Sequence, residues 1–183
     1  MIGVLVGTAL LTGCSEKQEA SETLPSPSAA ETTEALPPLG PEDFPVPDEA
    51  RTKDAAGAEA FLRYYIELLN RLQAIPLGEP LRELSPECET CLRIARAFDD
   101  AAAAGWTYQG GEVSLNDVTE PQLNGDTASL VFGARVEVLS IRDSAGTPIP
   151  DGQEDLSPNA GSGMTLRWSS EHHSWLVAGL TIG

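Results

Sequence analysis

Cys88 and Cys91 stand three residues apart in the stretch SPECETCLRIARAF, residues 85–98, at the head of an apolar-periodic segment. A C-x-x-C at a helix start supports three chemistries: thiol–disulfide exchange, half of a metal site, or a structural disulfide. Exchange chemistry places the pair after a strand in a parallel βαβ unit, where the helix dipole lowers the first thiol's pKa. Here a helical segment precedes the pair, and Glu87 and Glu89 flank Cys88 and oppose a thiolate. Zinc needs about four ligands. The only histidines, His172 and His173, are adjacent, so in extended chain they point to opposite sides. The balance favours a structural disulfide that acts locally on one helical turn, with a redox-active pair as the alternative. No metal and no cofactor is expected.

Other chemistry is sparse. There is no G-x-S-x-G for a nucleophilic serine. Glu112, Arg135 and Glu137 are candidate acid–base groups if their strand faces look into a cavity. On one strand Arg135 and Glu137 share a face, and a surface ion pair is the plainer reading. Tyr64, Tyr65, Trp106 and Trp168 are candidate cavity-lining aromatics, although aromatic residues at periodic positions are first of all core. No catalytic residue is assigned.

These residues must be positioned by a recognisable series of elements. Ala58, Phe61, Leu62, Tyr65, Leu69 and Leu72 recur at helical spacing between Asp54 and Ala74, with Thr52 or Asp54 as the N-cap. Residues 79–84 allow a short helical turn. Ser85-Pro86 is the expected opening of the next helix, and Gly105 its stop. Beyond Gly105 the apolar period becomes two. Trp106 to Val118 reads as a strand with an irregularity at Gly110-Gly111, Asn124-Gly125-Asp126 as a turn, and 128–141 as a second strand. Residues 142–163 read as a long loop, and 164–169 with 175–182 as a closing hairpin. Helices followed by a meander specify an α+β domain with the helices on one sheet face.

Length and charge bound the rest. The chain has 183 residues and a formal charge of −17. Nucleic-acid binding is therefore not expected, since phosphate contacts need clustered Lys and Arg. Residues 15–50 hold seven of the fourteen prolines and nine acidic residues against Lys17 alone, the composition of a disordered linker. The domain is expected to begin near Arg51. Residues 2–11 are apolar but too short to span a bilayer, and read as the apolar region of a secretory signal.

Leu11-Thr12-Gly13-Cys14 is similar to the lipobox of lipoprotein signal peptides. That resemblance implies cleavage after residue 13 and lipid on Cys14, which leaves Cys88 and Cys91 as one pair in an oxidising compartment. Two helices followed by about four antiparallel strands and a Trp-bearing hairpin resemble the NTF2-like, cystatin-related superfamily, which implies a curved sheet wrapped round helices as a cone. More narrowly, AEAFLRYYIELLN (58–70), LRELSPECETC (81–91) and MTLRWSSEHHSWLVA (164–178) resemble a family of actinobacterial lipoproteins of unknown function. That resemblance implies no activity.

The expected organisation is thus a signal peptide at 1–13, a lipidated linker at 14–50 and an NTF2-like domain at 51–183. The expected protein is anchored at the extracytoplasmic face of the cell membrane and carries a non-catalytic binding or interaction domain. Its partners would be an envelope protein, a wall component or a small ligand. A cavity enzyme of the isomerase or hydratase type and an extracytoplasmic thiol oxidoreductase are the alternatives. Cys14→Ser is expected to shift the protein from the membrane to the soluble fraction and to change its mature mass. Membrane fractionation with an unchanged mature mass overturns the anchor.

Overall fold

The computed structural model describes residues 36–183. The expected signal segment, Cys14 and the expected linker up to residue 35 lie outside the described residues. Asp54 opens the first helix, α1 (Ala55–Ala74), by accepting a hydrogen bond from the Gly57 N–H at 2.7 Å. The expected stripe from Ala58 to Leu72 is buried, and so are Tyr64, Ile66 and Leu68. The helix is therefore covered on more than one side. α2 (Glu79–Leu84) and α3 (Glu89–Ala104) follow, and α3 stops at Gly105 in the left-handed conformation, φ 68°.

The start of α3 differs from expectation. Ser85 does not cap it but ends α2: its hydroxyl donates to the Leu81 carbonyl and accepts from the Tyr65 hydroxyl. The cap of α3 is Cys88, whose Sγ accepts from the Cys91 N–H at 3.1 Å. The serine has a nearer carbonyl to satisfy, so the capping role passes to the sulfur.

Eight strand segments follow: β1 (Thr107–Gly110), β2 (Val113–Val118), β3 (Gln122–Asn124), β4 (Thr127–Val136), β5 (Leu139–Arg142), β6 (Pro148–Glu154), β7 (Ser157–Ser169) and β8 (Ser174–Thr181). They form a three-stranded sheet, β1-β5-β6, and a five-stranded one, β2-β4-β7-β8 with β3 beside β4. All pairs are antiparallel. One register runs through both sheets. Gly110 faces Leu139 in the first, and three residues on, Val113 faces Val136 in the second. Likewise Leu139 faces Glu154 and Val136 faces Ser157. The sheets are thus two halves of three long antiparallel passes, β1–β2, β4–β5 and β6–β7, bent along a line through Gly110-Gly111, Glu137-Val138 and Asp155-Leu156, with β3 and β8 added to the second half alone. This is the mixed α+β architecture expected, with few helices packed on antiparallel strands.

Two stretches differ. The expected loop at 142–163 is a tight turn followed by strand. Asp143 Oδ1 accepts from the N–H groups of Ala145 and Thr147, and β6 with the first half of β7 then continues the sheet. Ser157 to Gly163 has no apolar alternation of its own. Its pairing comes from β4, whose Ala128, Leu130, Phe132 and Ala134 carry the buried face.

The domain also begins earlier than Arg51. Leu39, Val46 and Ala50 are buried, and a 3₁₀ turn spans Asp48–Arg51. The segment from Leu36 forms a strap on α1: Phe44 stacks on Tyr64 with centroids 5.1 Å apart, and the Tyr64 hydroxyl donates to the Phe44 carbonyl at 2.9 Å. Arg71 lies over the Phe44 ring and pairs with Asp43. Arg51 is buried and donates to three carbonyls, those of Pro37 (2.7 Å), His172 (2.5 Å) and His173 (3.3 Å). It ties the strap to the β7–β8 hairpin. Proline lowers the entropy that ordering such a strap costs, so a few apolar anchors suffice.

Gly110 and Gly125 both have positive φ, 74° and 59°. A Cβ on Gly110 would meet the Val138 carbonyl oxygen at 2.0 Å, whereas one on Gly125 meets nothing within 4 Å. Gly125→Ala is expected to cost only the conformational term, about 1–2 kcal/mol. Gly110→Ala should exceed it by at least roughly 2 kcal/mol in urea unfolding, because backbone must move. Equal losses would show that the bend tolerates a side chain.

Candidate functional site

Where the bend closes over α1 and α3 it leaves a cavity of about 490 Å³. The size lies in the range of small-molecule sites. Two side chains from the last turns of α1 hold the helix to the bend. Asn70 donates to the Val113 carbonyl and accepts from the Val113 N–H, both at 2.9 Å, as a strand partner would. Gln73, one turn beyond Leu69, donates through Nε2 to the Gly111 carbonyl at 3.1 Å. Its Oε1 is enclosed and accepts from no group among the described residues.

The walls are largely apolar. Ile94 and Phe98 come from α3, Tyr108 from β1, Val136 from β4, and Leu139 and Ile141 from β5; Leu180 and Ile182 close the far side. Phe98 and Tyr108 meet edge to face with centroids 5.5 Å apart. Burial, and then the charge of Asp100, raise the Tyr108 phenol above its ordinary pKa, so it remains a neutral donor. Arg93, Glu154 and Asp155 reach the site from its exposed rim. A wider cleft of about 550 Å³ lies between Glu87–Thr90 and the β7–β8 strands, but its walls are mostly polar and it is open to solvent.

None of the residues singled out from the sequence lines this cavity. Tyr64 faces the strap, and Tyr65 is core, bonded to Ser85. Trp106 is half-buried just past the end of α3, where its backbone N–H donates to the Ala101 carbonyl. Glu112 is exposed. Arg135 and Glu137 form an ion pair at 2.5 Å, each side chain partly in solvent. Trp168 packs edge to face on Trp175, 5.3 Å away, beside a small groove on the other half of the sheet. Cys88 and Cys91 lie at disulfide distance with Cα atoms 5.2 Å apart, and both are fully buried. A buried pair whose sulfur already caps a helix is placed for structure. Of the cavity residues that sequence reasoning missed, Gln73 carried a signal: it is the polar member of an otherwise apolar helical row.

Tyr65 gives the domain a pH dependence. Burial pushes its phenol from 10.0 up to about 12, against a smaller opposing effect of the Ser85 bond. The unfolded chain releases that proton first, so this contribution is complete below pH 10 and is lost as pH rises towards 12. Tyr64, also buried, is raised as well. Unfolding free energy should therefore fall through this window. Tyr65→Phe should flatten the fall by up to about 1.4 kcal/mol per pH unit. An unchanged slope would mean that Tyr65 ionises without resistance from the fold.

No curated protein matches the chain. Among solved structures, the chain is similar to the intermembrane space region of the chloroplast protein ARC6, at 16% identity and a TM-score of 0.45, over 72% of this chain and 97% of that one. It is also similar to an NTF2-like protein with a cystatin-like fold from Novosphingobium aromaticivorans, at 20% identity and a TM-score of 0.34, over 70% of this chain and 88% of that one. A family model matches residues 42–179, from the strap through β8, and on that match the chain belongs to DUF6318, a family of unknown function.

Proposed function

We propose that this protein is a lipoprotein held at the extracytoplasmic face of the cell membrane by lipid on Cys14, with a domain that binds a small apolar ligand without transforming it. The observation that carries the binding reading is the cavity at the bend. Its walls are side chains of Ile94, Phe98, Tyr108, Val136, Leu139 and Ile141, and its charged groups stand at an exposed rim. Concave apolar walls with few inward polar groups are the general form of a small-molecule site. A general acid or base is usually tuned by burial, and Glu154 and Asp155 are both in solvent. The apolar run and Leu11-Thr12-Gly13-Cys14 support the anchor, and the acidic, proline-rich stretch after them supports a spacer.

The neutral fluorophore N-phenyl-1-naphthylamine should bind the folded domain saturably, with one site per chain. Ala97 is exposed on α3 at the cavity wall. Ala97→Trp should fill part of the space and weaken binding by at least about tenfold, with little change in melting temperature. Unsaturable binding, or equal affinity in a folded Ala97→Trp variant, overturns the reading.

A further inference from the structure

We infer that the ligand of this cavity is a cationic amphiphile, an apolar body with one positively charged head that lies at the rim beside Glu154 and Asp155. This rests on the cavity being a binding site. Strand register places the first of these groups. Leu139 lines the cavity and stands directly opposite Glu154, and directly opposite residues of an antiparallel pair share a face. Glu154 therefore extends on the cavity side beside Leu139, with its carboxylate in solvent. Asp155 follows at the bend and also lines the mouth. Both carboxylates are open to an arriving ligand.

Both are also free to take a counter-charge. Six ion pairs form among the described residues, and neither Glu154 nor Asp155 enters one. Neighbouring cations are engaged elsewhere. Arg142, next to the wall residue Ile141, donates to the Gln109 side chain and the Gly146 carbonyl. Arg135, next to Val136, pairs with Glu137. Among the described lining residues Arg93 is the only cation, and two carboxylates stand against it. A third, Asp100, is close enough for its charge to act on the Tyr108 phenol in the wall. The rim is therefore net negative, on a chain of formal charge −17. A cationic head gains from that field, a neutral head gains nothing, and an anion meets repulsion. The hydrocarbon walls account for the apolar body. At an exposed rim the head keeps part of its water, which limits the gain to a severalfold one.

Displacement of N-phenyl-1-naphthylamine by three compounds with one body tests this. 4-Butylbenzylamine is a cation at neutral pH, 4-butylbenzyl alcohol is uncharged and of nearly the same shape, and 4-butylbenzoate is an anion. At low salt the amine should bind at least about threefold tighter than the alcohol, and the benzoate weakest of all. High salt should shrink the difference. In Glu154→Gln with Asp155→Asn, the amine and the alcohol should converge. Glu120→Gln with Glu171→Gln removes the same charge from exposed positions that do not line the cavity, and there the preference should persist. The inference is overturned, with the cavity still a binding site, if the amine binds no tighter than the alcohol or the benzoate binds tightest. It is equally overturned if the preference survives the rim substitutions or is lost in the distal pair. If the fluorophore itself fails to bind saturably, the binding reading falls and the inference with it.

Discussion

The bend in the sheet is the constraint on which the rest of the domain depends. Gly110 and Gly111 both hold positive φ, 74° and 81°, and the Gly111 N–H donates to the Val138 carbonyl across the bend. L-residues with a side chain resist that conformation by roughly 1–2 kcal/mol each. At Gly110 the opposing carbonyl also leaves no space for a Cβ. Without the bend the passes β1–β2, β4–β5 and β6–β7 would run straight, and the first half of the sheet would leave the helices. With it, one register serves both halves, and Gln73 and Asn70 can bond backbone at Gly111 and at Val113 just beyond it. The cavity is the space left between the bent sheet and the two helices α1 and α3.

The remaining structure is organised to keep α1 in place. The strap covers its Tyr64 side, Ser85 at the end of α2 bonds Tyr65, and Leu69 lines the cavity between α1, α3 and the strands. The Trp175 indole donates to the Thr52 carbonyl at 2.8 Å, just before the N-cap. Cys88–Cys91 fixes only the entry to α3, consistent with the small loop that it closes. Its part is local, whereas Arg51 and Asn70 join segments far apart in sequence.

Much of this was legible in the residues. Thr52 or Asp54 as cap, the Leu62–Tyr65–Leu69 stripe, Gly105 as stop and Gly110-Gly111 as an irregularity are local signals, and each marks the feature observed, with Asp54 as the cap. What was not legible depends on partners distant in the chain. Ser157–Gly163 is a strand because β4 lies beside it, and no period within the segment announces that. Leu39 and Val46 are buried in a stretch whose prolines and acids otherwise describe a linker. The cavity was missed for a related reason. Large aromatic residues such as Tyr65 attract attention but fill the core, while the cavity is lined by ordinary strand and helix residues whose common neighbour is an empty space. Gln73 could have been noticed; Leu139 and Ile141 could not.

Arg51 has a mechanical meaning. Its three hydrogen bonds join the strap carbonyl of Pro37 to the hairpin carbonyls of His172 and His173 through one guanidinium. A pull arriving along the chain from before Leu36 therefore reaches this junction ahead of α1. The bonds share the load, since the planar group cannot release one carbonyl without tilting away from the others. Once the strap has peeled to Arg51, the capped helix and the bent sheet behind it still hold their contacts. One guanidinium thus joins the strap to the closing hairpin, separately from the contacts that hold α1 to the sheet.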